Sequence, residues 1–561
     1  MRLVECVPNF SEGRDRKVLD AIAEAIGSVD GVLLLDVDPG AATHRTVMTF
    51  VGSMEAVEEA AFRAIERAAS LIDMRAHRGA HPRMGATDVC PFVPLGDTTL
   101  EECVELARRV GRRVGETLKI PVYLYEAACS MPRRKSLSDI RAGEYEGLAE
   151  KLKQADWSPD FGPAVANARS GATVIGARQF LIAYNVTLNT RDRRLANTIA
   201  QNIRETGRSK KGADGKVARD AGGRALTEPG PSMLACTRAT GWYIEEYGRA
   251  QVSINLTDFR VTPPHSAFEA VETEAARLGL RVTGSEVVGL IPLEAMRRAG
   301  EHALRRQGKS PAAPEAELIH IARVSLGLDD VAVFDPEKKI IEYRVAPPRP
   351  LGGMTLRRFV HEVSGSAPAP GGGSVAALAG GLSAALTAMV AALTYEQKGR
   401  EASREKLAGL GAEAQTLKGR LLDAVDADTD AFNRLMEALR LARGAPREGD
   451  ERHARDAAVQ QATRGAIDVP LAVMTDGLRA LELAEEIAAQ GAASALSDAG
   501  VAALAAAAAV EGAYYNVRIN LSGLTDAAET ARFEKTSRDL LGRTLQTRER
   551  VTKKVREALG S

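Results

Sequence analysis

His77, His81, Arg83, Asp88 and Cys90 are side chains able to do chemistry, and all fall within HRGAHPRMGATDVCPF, residues 77–92. Gly79, Pro82 and Gly85 break any regular helix across this stretch. Its histidines are therefore placed by a loop, and a placed histidine is a candidate proton carrier. His77 and His81 are four apart, the spacing that on a helix would present two metal ligands on one face. The same Gly79 and Pro82 argue against that helix, and no third ligand stands nearby. Proton transfer by one of the two histidines is the leading chemistry, with Asp88 suited to orient an imidazole and Arg83 to hold a carboxylate.

A second concentration lies far downstream. Leu421, Val425, Asp428, Phe432, Leu435 and Leu439 are spaced as one helical stripe, and Asp428 sits in its middle. A carboxyl group in an apolar stripe loses hydration, so its pKa is expected to rise, which suits a general acid at neutral pH; a buried polar network without catalysis is the alternative. Asp423, Asp426 and Asp430 fall on another face and are expected to be solvated. Upstream, Pro370-Gly371-Gly372-Gly373-Ser374 precedes a long uncharged run. Ser374 is placed to cap a helix there, and Gly372 and Gly373 would let a ligand approach backbone N–H groups. No Gly-Lys-Ser/Thr follows, so this is not a nucleotide-binding P-loop.

The elements that must position these groups differ along the chain. At 561 residues the length suggests two to four domains. Charges balance to zero, which points to neither nucleic acid nor an anionic membrane. Cys6, Cys90, Cys103, Cys129 and Cys236 are scattered without CxxC spacing, which argues against a disulfide framework and a zinc site and fits a reducing cytoplasm. The N-terminal residues carry no apolar signal core. Residues 371–394 hold no charge over a length that could span a bilayer, yet Ala and Gly dominate, so a buried bundle helix is expected instead.

A Pro/Gly-rich seam, APPRPLGG at 346–353, separates two kinds of sequence. Before it, strand and helix patterns alternate: strands at 3–8, 32–38 and 45–51, the last two split by a Pro39-Gly40 turn; helices at 15–26, 54–71 and 99–118; and a short strand at 122–125. A similar order recurs with a strand at 180–188, a helix at 191–206, a strand pair at 241–246 and 251–256, and a helix at 267–278. Two related α/β sandwiches of ferredoxin-like type are expected, followed by an all-α helix bundle. The expected domains are 1–172, 173–345, a linker at 346–354, and 355–561. Residues 207–232, rich in Gly, Lys, Arg and Pro, are expected to form a solvated, mobile loop rather than a dock for an acidic ligand tail.

Several long blocks carry a resemblance. VECVPNFSEG (4–13), LLLDVDPG with HRTVMTFVG (33–52), HPRMGATDVCPF (81–92), RAGEYEGL (141–148), WSPDFGP (157–163) and IIEYRV (340–345) resemble the glutamate formiminotransferase family. SAPAPGGGSVAA (366–377), LLDAVDADTDAF (421–432) and GAYYNVRINL (512–521) are similar to the formimidoyltetrahydrofolate cyclodeaminase family, and the order matches the fused bifunctional family. The resemblance implies transfer of a formimino group from N-formimino-L-glutamate to N5 of tetrahydrofolate, then cyclisation to 5,10-methenyltetrahydrofolate with loss of ammonia.

It assigns the catalytic histidine, the one preceding Pro-Arg-Met-Gly, to His81 and not His77. The cyclodeaminase aspartate becomes the second of the Val-Asp-Ala-Asp motif, Asp428. The folate-binding stretch becomes Gly162, Pro163, Ala164, Val165, Ala166, Asn167, Ala168, Arg169, Ser170 and Gly171. This chain keeps the flanking FGP and GAT but not the aromatic-containing middle of the vertebrate version, so the location transfers better than individual contacts. Asp38, Arg45, Arg83, Gly372, Gly373, Ser374, Asn516 and Asn520 are candidate substrate contacts. Asn516 and Asn520, one turn apart on a predicted helix, would read pterin edges or bond between helices. Tetrahydrofolate, polyglutamylated or not, is the expected co-substrate, with no metal and no nucleotide; a cytoplasmic homo-oligomer is expected, without nucleic-acid or membrane partners. One active half beside a structural one, formyl instead of formimino transfer, and a non-enzymatic folate carrier stay open.

Overall fold

The computed structural model describes residues 2–41, 43–79, 82–212, 216–220, 225–346, 349–443, 450–490 and 495–559. The chain divides into two units: one comprises 1–295 with 326–346, the other 296–325 with 347–561. The first is an α/β unit built on sheets, and the second is helical.

In the α/β unit, four antiparallel strands lie in the order Val32–Gly40, Arg45–Gly52, Arg2–Cys6, Thr87–Gly96. Thr173–Ala177 and Val122–Glu126 extend this sheet in parallel beyond Thr87–Gly96. Helices Arg16–Gly27, Met54–Leu71 and Leu100–Arg113 cover one face, where Ile22, Ile26, Ile65 and Leu106 pack with Val4, Cys6, Phe50 and Phe92. Each helix starts where a side chain takes an orphan N–H: Asp15 from Lys17, Ser53 from Ala56, and Thr99 from Glu102 in a full capping box. On the opposite face, Val89, Tyr123, Tyr125 and Val174 meet Ile140, Leu148 and Leu152.

Strand Thr87–Gly96 escaped the pattern reading for a physical reason. Its first seven residues are buried, so both faces are covered and no polar alternation survives, while Pro91 and Pro94 argue against a strand. The strand expected to end before Pro39-Gly40 runs through both residues, and the turn comes after them.

A second sheet orders Thr237–Ile244, Arg249–Leu256, Ile182–Leu188 and Val282–Val288, all antiparallel, with helices Arg193–Ile203 and Pro264–Arg277 connecting strands. The stretch expected to be a mobile loop is partly paired: Arg208–Ser209 bonds to Thr227–Glu228, and bridges join Lys211 to Val217 and Arg219 to Ala225. Beyond the expected helix at 267–278 the chain forms two more, Leu293–Arg306 and Glu315–Ser325.

Among the described residues, the helical unit carries Leu356–Val363 and five long helices: Gly372–Tyr395, Arg404–Arg443, Asp450–Gln490, Leu496–Leu521 and Ala527–Leu559. Small residues let the helices close on one another; a Cβ on Gly380 would sit 2.9 Å from the Leu421 side chain. Gly372–Tyr395 and Leu496–Leu521 are long and apolar enough to cross a membrane, but 56% and 50% of their apolar windows are buried inside the unit.

Candidate active sites

The first site is assembled from segments around 11–13, 38–46, 74–88, 141–146 and 167–172. His81 itself lies outside the described residues. The chain on either side of it is tightly held. Ser11 Oγ donates to the Gly85 carbonyl at 2.7 Å, and Ser11 N donates to the Ala86 carbonyl. A Cβ on Gly79 would fall 2.4 Å from the Thr43 carbonyl oxygen, so only glycine lets the loop pass there.

His77 is buried. Its Nε2 lies 2.9 Å from the His44 carbonyl, and its Nδ1 accepts from Arg83 Nε at 3.2 Å. Arg Nε–H can only donate, so Nδ1 is the acceptor and Nε2 carries the proton. Burial above all holds this imidazole below its ordinary pKa. One of the two roles sketched for its charged neighbours needs correction. Arg83, expected to hold a substrate carboxylate, already holds Glu146 through both terminal nitrogens (2.8 and 2.7 Å) and Glu144 at 2.9 Å. Asp88 is buried, accepts from Met84 N at 2.9 Å and pairs with Arg141.

Asp38 is exposed near the end of its strand, beside the turn that leads to Arg45. Arg45 is half-buried; burial and then Arg141 pull its pKa down, while Asp88 and Asp38 oppose them. These four charged side chains therefore share one neighbourhood. Sequence reasoning passed over Glu12 and His44, although both lie inside quoted blocks. Glu12 Oε1 accepts from the N–H groups of Gly13, Arg14 and Asp15 at 2.9, 2.8 and 2.9 Å. His44, at φ 51°, accepts from Gly13 N and packs its ring 4.4 Å from that of His77.

The folate-assigned stretch has two parts. Gly162 to Ala166 is largely open, with Val165 70% exposed. Asn167 to Gly171 is a pinned turn: Asn167 Oδ1 accepts from Arg169 N and Ser170 N, and Tyr145 Oη donates to the Ala168 carbonyl at 2.6 Å. This turn lies directly on the chain leaving the histidine loop. Gly85 bridges Gly171, Ala86 N donates to the Ser170 carbonyl, and Ala172 N donates to the Met84 carbonyl. Gly171 has φ +69°, and a Cβ there would meet the Met84 oxygen at 2.1 Å. Residues nearly ninety apart in sequence thus form one wall.

The second site lies in the helical unit. Asp428 rests against the first turn of Gly372–Tyr395: a Cβ on Gly373 would fall 2.1 Å from its Oδ1. Burial raises its pKa, opposed by hydrogen bonds from the Ser374 hydroxyl and backbone N–H. The Ser374 hydroxyl stands 3.4 Å from Oδ2. Ser374, expected to cap this helix, does not; Gly371 holds the cap position without a side-chain bond, and the buried Ser374 hydroxyl donates to the Val425 carbonyl at 2.8 Å. Asp426 is a second correction. It is buried rather than solvated, and accepts from Leu351 N and Gly352 N at 2.8 and 2.9 Å. Asn516 approaches this site, since a Cβ on Gly372 would lie 3.6 Å from its Nδ2, which donates to the Gly512 carbonyl. Asn520 bonds between helices instead, donating to the Ala466 carbonyl at 2.9 Å.

Comparison with known proteins follows the same division. Residues 3–178 match the formiminotransferase domain, N-terminal subdomain; residues 183–346 match the formiminotransferase domain; and 355–539 match formiminotransferase-cyclodeaminase. A formimidoyltransferase-cyclodeaminase of Rattus norvegicus is 44% identical over 529 residues, covering 94% of this chain and 93% of the relative. One from Dictyostelium discoideum is 40% identical over 98% of both chains. A glutamate formimidoyltransferase of Thermoplasma acidophilum is 46% identical over 310 residues, 55% of this chain and 94% of its own. The chain therefore belongs to the formimidoyltransferase-cyclodeaminase family.

Proposed function

We infer that the two halves of this chain carry successive reactions on one folate. The α/β half transfers the formimino group from N-formimino-L-glutamate to N5 of tetrahydrofolate; the helical half cyclises 5-formimidoyltetrahydrofolate to 5,10-methenyltetrahydrofolate and releases ammonia. The observation that carries this is coverage: both kinds of domain are present, in order, over nearly the whole length of bifunctional relatives.

In the first reaction, N5 attacks the amidine carbon and becomes cationic. His81 takes its proton and returns one to the departing glutamate nitrogen, the two-way traffic that an imidazole supports near neutral pH. Support for His81 over His77 comes from the bonds that already occupy both ring nitrogens of His77. The turn ending at Gly171, which lies on residues 84–86, suits the folate, and Arg45 beside Arg141 suits substrate carboxylates. In the second reaction, the other folate nitrogen attacks the formimino carbon and the C–N bond to ammonia breaks. Asp428 protonates the leaving nitrogen. Burial keeps its proton available, and the Ser374 N–H and hydroxyl receive the carboxylate that results.

The two sandwiches are ferredoxin-like, a reading supported by the repeated strand–helix–strand–strand–helix–strand order and by the matching strand order of the two antiparallel sheets. The functional divisions are 1–172, 173–345, a linker at 346–354, and 355–561. The chain works as a cytoplasmic homo-oligomer on tetrahydrofolate with or without a polyglutamate tail. Exposed Leu382, Leu393, Val501 and Leu504 on the two most apolar helices support burial against another copy.

Stopped-flow absorbance with formiminoglutamate and tetrahydrofolate tests the whole reading. Methenyl product and free ammonia are expected, and absence of both would refute it. His81→Asn should abolish transfer while leaving cyclisation of supplied 5-formimidoyltetrahydrofolate intact; Asp428→Asn should do the reverse.

A further inference from the structure

The proposed transfer reaction depends on His81, and the described residues that flank it, His77 and Arg83, are joined by a side chain with no chemical step of its own. We propose that Arg83 is a positioning residue that ties the chain at 83 back to His77, rather than a clamp for a substrate carboxylate. This rests on the reading that His81, between those two residues in sequence, moves the proton.

The geometry is a staple. Arg83 Nε donates to His77 Nδ1 at 3.2 Å, which ties Arg83 to a residue on the other side of His81 in sequence. His77 is anchored in turn, with Nε2 on the His44 carbonyl at 2.9 Å. Nη2 also donates to the His77 carbonyl at 3.4 Å, and the terminal nitrogens reach the 144–146 turn, where Glu146 receives a bond on each carboxylate oxygen and Glu144 one more. The backbone repeats the connection, because Tyr145 N donates to the Arg83 carbonyl at 2.9 Å. Arg83 is only 7% exposed, whereas Glu144 and Glu146 are 42% and 57% exposed. A buried guanidinium whose fork already holds a carboxylate on both prongs has no prong left for a second one. The exposed glutamates anchor it from outside, and they are not buried enough to need it for their own solvation.

Geometry set this way should matter to the rate and not to substrate affinity, because a misplaced base costs turnover while leaving the binding groups in place. Arg83→Lys keeps the charge and loses the fork. Its transferase kcat should fall by about 10- to 100-fold, with KM for formiminoglutamate and for tetrahydrofolate within about twofold of wild type. Glu146→Gln, at an exposed position where misfolding is not at issue, should lower kcat in the same direction by a smaller factor. The double variant should be no slower than Arg83→Lys alone, since both changes cut one chain of contacts.

A rise in KM for formiminoglutamate with kcat preserved would overturn the proposal and make Arg83 a substrate clamp. Additive effects in the double variant, or an unaltered kcat in Glu146→Gln, would also overturn it. Unfolding followed by the fluorescence of Trp157 and Trp242, both in the α/β unit, separates these outcomes from a general loss of structure. Failure of the underlying reading looks different: His81→Asn would retain transfer whatever happens at Arg83.

Discussion

Replacing Gly373 by Ala should separate the two activities of the chain. The added Cβ would stand 2.1 Å from Asp428 Oδ1, 2.4 Å from Cγ and 2.5 Å from Oδ2. Ordinary contact between such atoms begins near about 3.4 Å, so the carboxyl must retreat by roughly 1.3 Å, the difference between 3.4 and the 2.1 Å at which the added Cβ would stand. An aspartate side chain is short, and a retreat of that size draws it away from the Ser374 N–H and hydroxyl. Displacing a catalytic group by about 1 Å costs on the order of 100-fold in rate. The fold should tolerate the change, because the group that yields is a side chain and not backbone.

Cyclisation would be measured by absorbance after supplying 5-formimidoyltetrahydrofolate, and transfer by consumption of formiminoglutamate. The expected result is a cyclisation rate about 100-fold lower with transfer unchanged. Gly419→Ala is the matched control, since nothing lies within 4 Å of its Cβ. Cyclisation within about threefold of wild type in Gly373→Ala, or an equal loss of both activities, would refute the placement of Asp428 as the acid.

Three other perturbations follow from the same structure. Burial raises the Glu5 carboxyl from 4.5 to about 7; at about 1.4 kcal/mol per pKa unit its ionisation costs the α/β unit roughly 3 kcal/mol. That penalty is absent below pH 4.5, grows as pH rises and is complete above about 7, so Glu5→Gln should raise the urea midpoint seen by tryptophan fluorescence at pH 8 to 9 but not at pH 4; a pH-independent change would contradict it. Asp428 also has a raised carboxyl, so stability is lost as pH climbs from its ordinary value of 3.8 to its folded-state value, and the full cost applies above that. Asp428→Asn should therefore stabilise the helical unit at neutral pH while losing cyclisation, and destabilisation at pH 8 by circular dichroism would count against the burial argument. Gly171→Ala places a Cβ 2.1 Å from the backbone oxygen of Met84 at φ +69°. Backbone must move, at a cost of about 1–3 kcal/mol, and transferase kcat/KM should fall while cyclisation of supplied intermediate persists.

Much of this architecture can be read from local patterns. Capping residues Asp15, Ser53 and Thr99 mark their helices because a cap is satisfied within three residues. Asp428 stands out because its stripe neighbours Leu421, Val425 and Leu435 are one or two turns away, and all three are buried. Periodicity fails where burial removes the contrast it depends on, as in Thr87–Gly96. It also says nothing about the partner of a charge. Asp426 looked solvated by its helical face, yet it binds backbone N–H groups about 75 residues earlier. Arg83 looked free to take a substrate, yet its carboxylates lie 61 and 63 residues downstream. Local sequence therefore determined which groups could do chemistry and on what kind of element. Only tertiary structure decided which of them were already occupied, because a buried charge takes whatever partner the fold brings within hydrogen-bond range, at any distance along the chain.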